Sequence, residues 1–226
     1  MNTIYFLPLP DSEEDRSLHQ LLPFVPEEKQ EKIKRFRFHM DRKLSLYSEL
    51  LVRVVASQTL NIPNGEIVFE RGEWGKPRLW GHPDFHYNIS HTRSAVMVAV
   101  SDSPVGADIE KIKKADLGIA KRYFAEQEQD YIAISEEGAA ERFYEIWTRK
   151  EAYCKYIGKG LSLPLRSFDV AGPPLCASIM TMKWGEYIGS VCAQQPNMQF
   201  TVQEWTQDQI ERMALSSLSE YEPAGV

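Results

Sequence analysis

The sequence predicts an α+β protein in which a long helix followed by a group of short strands occurs twice. Three observations carry this reading. Apolar residues recur at helical spacing over 40–59 (Leu44, Tyr47, Leu51, Val54, Val55), and a second long helical stretch covers about 137–157. Each is followed by short β-rich segments bounded by Gly, Pro, Asn or Ser. The 226 residues, 43% of them hydrophobic, can bury a core in one large domain or in two of roughly 110 residues. Residue identity between the two stretches is negligible, so the repeat is one of order alone.

Element by element, residues 4–7 read as a strand stopped by Pro8 and Pro10. Asp11 or Ser12, with Glu13 and Glu14 behind it, caps a first helix. Pro26, Glu27 and Glu28 open a second, with Lys34 and Arg35 toward its far end. Asn61 and the segment 63–65 end the helix over 40–59. Strands are expected over 66–70, 85–89 and 95–101, and Asp102, Ser103 and Pro104 make a turn. That turn is the candidate boundary between an N-terminal half, 1–104, and a C-terminal half, 105–226. A strand over 105–110 follows, then short helices over 116–124 and 126–134 and the long one over 137–157, stopped by Gly158, Lys159 and Gly160. Strands over 168–170, 177–183, 187–193 and 200–205 complete the reading, and the polar tail after about Gln207 is expected to fray.

Composition narrows the function. The formal charge is −6, which argues against a general nucleic-acid binder. Cys154, Cys176 and Cys192 form an odd, sparse set without C-x-x-C spacing, so reduced thiols in the cytoplasm are expected and a zinc site is disfavoured. The first eight residues lack the basic and apolar regions of a signal peptide, and the longest apolar run, 95–100, is too short to span a membrane. An anionic ligand would need a local reversal of charge. Residues 29–43 supply one: Lys29, Lys32, Lys34, Arg35, Arg37, Arg42 and Lys43 against Glu31 and Asp41 leave a local charge of +5. Lys76 adds a cation on the W-G-K-P turn, and a solvated helix face is the plainer reading of the island.

Three further clusters could carry chemistry. In G-A-D-I-E, Asp108 and Glu110 are two apart, so on a strand both carboxylates face one side, where a hard cation such as Mg²⁺ shared with phosphate would relieve their repulsion. For the tripeptide alone, two solvated acids at a strand end are the plainer reading. In W-T-R-K-E-A-Y-C-K, Trp147, Glu151 and Lys155 share a helical face. Glu151 and Lys155 are either a surface pair contributing about 0.2–0.5 kcal/mol or a metal-binding or basic carboxylate beside a phosphate-steadying cation. In N-I-S-H-T, Ser90, His91 and Thr92 could meet phosphate or merely satisfy their own turn; a Ser–His nucleophile pair lacks the G-x-S-x-G setting. His82 and His86 are separated by Pro83, which disfavours a helical pair, and Cys154 reads as a small residue packed on the inner side of its helix.

Taken in order, W-G-K-P, N-I-S-H, G-A-D-I-E and W-T-R-K-E-A-Y-C-K-Y-I-G-K-G-L resemble the 4′-phosphopantetheinyl transferase family, closest to its surfactin-synthetase-activating type, over about 4–205. The resemblance implies two similar α/β halves in one chain related by a pseudo-twofold, with the active site between them. It implies transfer of the phosphopantetheine arm of coenzyme A to a serine of an apo carrier protein, releasing 3′,5′-ADP. Asp108, Glu110 and Glu151 would hold Mg²⁺, Glu151 would also be the general base, and Lys155 would stabilise the departing oxygen. Ser90, His91 and Thr92, with Asp108 and Lys155, would meet coenzyme A, and Lys29, Lys32 and Lys76 match positions near its 3′-phosphate and adenine. Trp147 is the packing anchor of the helix.

Two positions depart from the family pattern. Ala107 replaces the usual Val or Ile, and Leu44 stands where close relatives carry a basic residue, with Lys43 or Arg42 as the expected substitute. The expected partners are coenzyme A and apo carriers of peptide, polyketide or fatty-acid synthases, with no nucleic acid and no membrane. Carrier docking is expected between Asp116 and Glu137, around Tyr123, Phe124 and Tyr131. Because shorter members assemble single-half subunits, a chain with both halves is expected to be a monomer. Two other readings use the same residues: a Mg²⁺-dependent nucleotide pyrophosphate hydrolase, and a non-catalytic module that binds carrier proteins.

Overall fold

A computed structural model describes residues 2–11, 16–72, 75–158, 163–172, 177–194 and 199–222. The first half contains β1 (Thr3–Pro8), α1 (Arg16–Leu21), α2 (Glu27–Arg35), α3 (His39–Leu60), β2 (Phe69–Arg71), β3 (Pro77–Leu79), β4 (His86–Thr92) and β5 (Ala95–Ser101). The second contains β6 (Val105–Lys111), α4 (Leu117–Tyr123), α5 (Glu126–Ala133), α6 (Ala139–Ile157), β7 (Ser178–Trp184) and β8 (Tyr187–Ala193). Then come β9 (Thr201–Glu204) and α7 (Gln207–Ser217). The α+β class and the helix-then-strands order both hold.

Two main sheets form, one in the order β4-β5-β1-β9 and the other β6-β8-β7, with β2 and β3 as a separate pair. Strand β5 explains why its sequence is apolar throughout. Val96, Val98 and Val100 face Leu46, Leu50 and Val54 of α3. Ala95, Met97 and Ala99 face Ala107 and Ile109 of β6 and Val191 of β8. A strand covered on both faces cannot alternate with polar residues. A third core joins Phe124, Ile132, Phe143 and Ile146 where α4 and α5 meet α6. No helix among the described residues is long and apolar enough to cross a membrane.

Several expectations need correction. The strand expected over 66–70 begins only at Phe69, because Asn64–Glu66 is a 3₁₀ turn. The short strand β3 was not anticipated; it starts on Pro77, a position where the missing N–H costs no ladder bond. No strand forms over 168–170. There the Lys150 ammonium takes the carbonyls of Leu165 and Phe168, and the Glu128 carboxylate takes the N–H of Val170, so side chains satisfy the backbone instead of a ladder. The tail after 207 does not fray up to Ser217. It forms α7, capped by Thr206 and Gln209, with Ile210 and Ala214 buried beside α3. Strand β9 lies parallel to β1. Residues 201–217 therefore pack with elements of the first half. Ser12, Glu13, Glu14, Trp74, Lys159, Gly160, Leu161 and Cys176 lie outside the described residues.

Candidate active site

The site lies where the two sheets meet. Strands β4 and β6 are each at the edge of their sheet. Side chains of β4 bridge them: the N–H groups of Ala107, Ile109 and Lys111 donate to Asn88 Oδ1 (2.8 Å), Ser90 Oγ (3.3 Å) and Thr92 Oγ1 (3.4 Å). The period of two along a strand puts all three on one face. Helix α6 crosses β6 at Gly106. A Cβ there would lie 2.1 Å from Ala152 O and 2.3 Å from Tyr156 N, so the helix backbone rests directly on the strand. That approach brings Glu151 and Lys155 to Asp108 and Glu110.

Asp108 is buried, and its Oδ1 accepts from Ser90 Oγ at 2.9 Å and from Lys155 Nζ at 2.7 Å. Its Oδ2 is buried without a hydrogen-bond partner. Lys155 Nζ also reaches Ala107 O at 3.0 Å and Ser90 Oγ at 3.2 Å. The reading of Lys155 and Glu151 as a surface pair therefore fails: Lys155 turns from its helix to the strand. Glu110 Oε2 accepts from Thr92 Oγ1 at 3.2 Å. Burial, opposed by Lys155 and Ser90, raises the Asp108 pKa. Burial and the charge on Asp108 raise both Glu110 and Glu151. The three carboxylates therefore resist ionising together, and one of them carries a buried oxygen without a hydrogen-bond partner. Among the described residues no three His, Cys, Asp or Glu side chains already stand grouped around one metal position.

The expected ligand-facing cations separate. His91 is exposed at the end of β4, on the face opposite Ser90 and Thr92. Partial desolvation, then Lys155 and Lys29, hold its imidazole below the ordinary value, so His91 is a neutral ring that feels both ammonium groups. Lys29 pairs with Glu49 at 3.1 Å, and Lys32 is exposed. Lys76 Nζ donates to Val105 O (2.8 Å) and Lys155 O (2.9 Å), joining the halves, and desolvation lowers its pKa to about 8. Beside it a cavity of about 360 Å³ is lined from both halves by Lys76, His86, Pro104, Tyr156 and Gly158 among others. Lys43 is a correction. It is fully buried and donates to Pro10 O at 2.8 Å, so it is a structural lysine and no substitute at Leu44, itself in the core. Arg42 is half-buried, and its Nε donates to Phe36 O at 2.8 Å. Ser90 and Thr92 turn their hydroxyls to carboxylates, which corrects their reading as phosphate contacts.

Trp147 anchors α6 as expected, stacking on Phe143 with ring centroids 6.3 Å apart. Cys154 is buried, and burial raises its thiol to about 11, which makes it a poor nucleophile. Of the residues expected to dock a carrier, Phe124 is fully buried and Tyr131 donates to Glu145 Oε2 at 2.7 Å; Tyr123 is exposed, as are Leu117 and Ile134. Sequence reasoning missed the buried ion pair of Lys150 with Glu128 (2.8 Å), which ties α6 to α5. Its partners are 22 residues apart, and no local pattern marks them.

A family model described as the 4′-phosphopantetheinyl transferase superfamily matches residues 104–213, and one described as 4′-phosphopantetheinyl transferase, N-terminal, matches residues 12–103. The 4′-phosphopantetheinyl transferase psf-1 of Bacillus pumilus is 41% identical over 166 residues, 73% of this chain and 71% of that protein. The 4′-phosphopantetheinyl transferase Sfp of Bacillus subtilis strain 168 is 40% identical over 164 residues, 72% of this chain and 71% of that protein. The 4′-phosphopantetheinyl transferase gsp of Aneurinibacillus migulanus is 38% identical over 169 residues, 74% and 70% of the two chains.

Proposed function

The chain belongs to the 4′-phosphopantetheinyl transferase family, which moves the phosphopantetheine group of coenzyme A to carrier proteins, and we propose that Asp108, Glu110, Glu151 and Lys155 carry that transfer here. The observation that supports this most is the buried, unpartnered Oδ2 of Asp108, beside two carboxylates that its charge reaches and with Lys155 on its other oxygen. Asp108, Glu110 and Glu151 would hold Mg²⁺. Bound there, the ion supplies charge neutralisation and orientation of the coenzyme A pyrophosphate.

The remaining work falls to side chains. Glu151 takes the proton of the carrier serine hydroxyl as its oxygen bonds to the β-phosphorus of coenzyme A. In the metal-free protein burial raises the Glu151 carboxyl above the ordinary glutamate value, which offsets the loss of basicity that a bound cation brings. The bond from that phosphorus to the bridging oxygen of 3′,5′-ADP breaks, and the Lys155 ammonium compensates the charge on the departing oxygen. The cavity beside Lys76 would take the nucleotide end, with Lys29 and Lys32 supplying positive charge to its phosphates and His91 a neutral imidazole. The carriers are those of peptide, polyketide or fatty-acid synthases, the active species is a monomer with both halves in one chain, and its location is cytoplasmic. Cys154 and Cys192, both buried and outside any disulfide, fit a reducing compartment.

The test is intact-mass analysis of apo carriers after incubation with coenzyme A and Mg²⁺. Wild type should add one phosphopantetheine arm to the carrier, and Glu151→Ala should add none while remaining folded. Release of 3′,5′-ADP at one rate with and without carrier would instead mark a hydrolase.

A further inference from the structure

We infer that Asn88, Ser90 and Thr92 form a positioning rail that sets the register of the two halves, and that Thr92, through its hydroxyl, aims Glu110 at the metal. The inference rests on the proposed metal role of Asp108 and Glu110. The rail is visible as a constant offset. Asn88, Ser90 and Thr92 accept from the N–H groups of Ala107, Ile109 and Lys111, always 19 positions ahead, so β4 and β6 run in the same direction. Two edge strands that meet usually form a backbone ladder. Here side chains of β4 replace it and satisfy the N–H groups of β6 at these three positions.

The residue type at each rung follows from what precedes the donating N–H on β6. Before Ile109 stands Asp108, and Ser90 accepts from the first while donating to the second at 2.9 Å. Before Lys111 stands Glu110, and Thr92 accepts from the first while donating to the second at 3.2 Å. Before Ala107 stands Gly106, which offers no acceptor side chain, and the rung there is the amide carbonyl of Asn88. Only a hydroxyl can accept from an N–H and donate to a carboxylate with one atom. Hydroxyls thus occur at the two rungs that face carboxylates and an amide at the one that does not. The same atoms that dock the halves therefore also orient Asp108 and Glu110. Thr92 is a positioning residue: it is buried, and its hydroxyl is spent on Glu110 and Lys111.

The test is Mn²⁺ binding to the full-length protein without coenzyme A, followed by the electron paramagnetic resonance of free Mn²⁺. Thr92→Val keeps the shape and loses the hydroxyl; it should raise the Mn²⁺ Kd by about 10-fold or more. It should also raise the Mg²⁺ concentration for half-maximal transfer far more than it lowers the rate at saturating Mg²⁺. Thr92→Ser should bind Mn²⁺ within about twofold of wild type, as expected if the hydroxyl rather than the methyl acts. Wild-type affinity in Thr92→Val, or equal weakening in Val and Ser variants, overturns the proposal. Glu110→Gln separates the two readings. If it leaves Mn²⁺ binding intact, the metal role and the rail both fall. If it weakens binding while Thr92→Val does not, the rail alone falls. Should Thr92→Val not fold, hydrogen exchange on wild type decides: Mn²⁺ should slow the amides of Ile109 and Lys111, and unchanged exchange rejects the coupling.

Discussion

Burial makes each carboxylate of the site a weaker acid than it is in water, and this has opposite consequences for stability and for turnover. Glu151 is raised above the ordinary glutamate value of 4.5 by desolvation and by Asp108, against Lys155. The folded protein then binds more protons than the unfolded chain above that value, so stability from this group falls as pH rises through the window and is recovered on acidification. Turnover requires the ionised form and runs the other way. Glu151→Gln should therefore abolish transfer while leaving the thermal midpoint at pH 7 equal to or above that of wild type, as differential scanning fluorimetry would report. A lower midpoint would show that Glu151 is a structural residue. The wild-type rate should fall on acidification as the carboxylates protonate and release Mg²⁺, and a rate independent of pH across the carboxylate range would remove Glu151 as base.

Among elements, the packing of α6 on β6 decides whether a site exists. The spacing of Glu151 and Lys155 on α6 and of Asp108 and Glu110 on β6 was readable, because helix and strand periods are local properties. That the two faces meet was not readable from either motif. It depends on Gly106, whose missing Cβ lets the backbone of Ala152 and Tyr156 approach. Gly106→Ala sets a methyl against backbone atoms rather than flexible side-chain ends. It should cost about 3 kcal/mol or more in urea unfolding and reduce transfer to background. Strand β4 teaches the converse. N-I-S-H-T looked like a turn that could meet phosphate, because Ser, His and Thr are common in such turns. It continues as strand through Thr92, and its hydroxyls are used between sheets, a use that depends on a partner 19 residues away.

The whole molecule is closed by its last elements. Strand β9 extends the first sheet beside β1, and α7 covers α3 with Ile210 and Ala214 while Tyr47 donates to Glu211. Farther on, Asn64 Nδ2 donates to Ser219 O at 2.8 Å, and the N–H of Tyr221 donates to Pro23 O at 2.8 Å. Residues 201–221 thus pack against elements of the first half. Deleting residues 201–226 should uncover the edge of β1 and the outer face of α3 and lower stability by several kcal/mol, read as a large drop in thermal midpoint or as insoluble protein. A truncated protein with a wild-type midpoint would show that this packing is dispensable.

By itself the sequence determined the elements whose signals are local: the amphipathic spacing of α3, the Gly158 stop of α6, the alternation that pairs Asp108 with Glu110, and the ordered motifs that mark the family. Only the tertiary structure decided where cations go and which elements residues 201–221 pack against. Lys43 lies in the +5 stretch yet is buried on Pro10 O, whereas Lys155, spaced to pair with Glu151, turns to Asp108. Charge is counted along the chain, but a long side chain settles on whichever acceptor folding brings within reach. That acceptor lies 33 residues away for Lys43 and 47 for Lys155, beyond any local pattern.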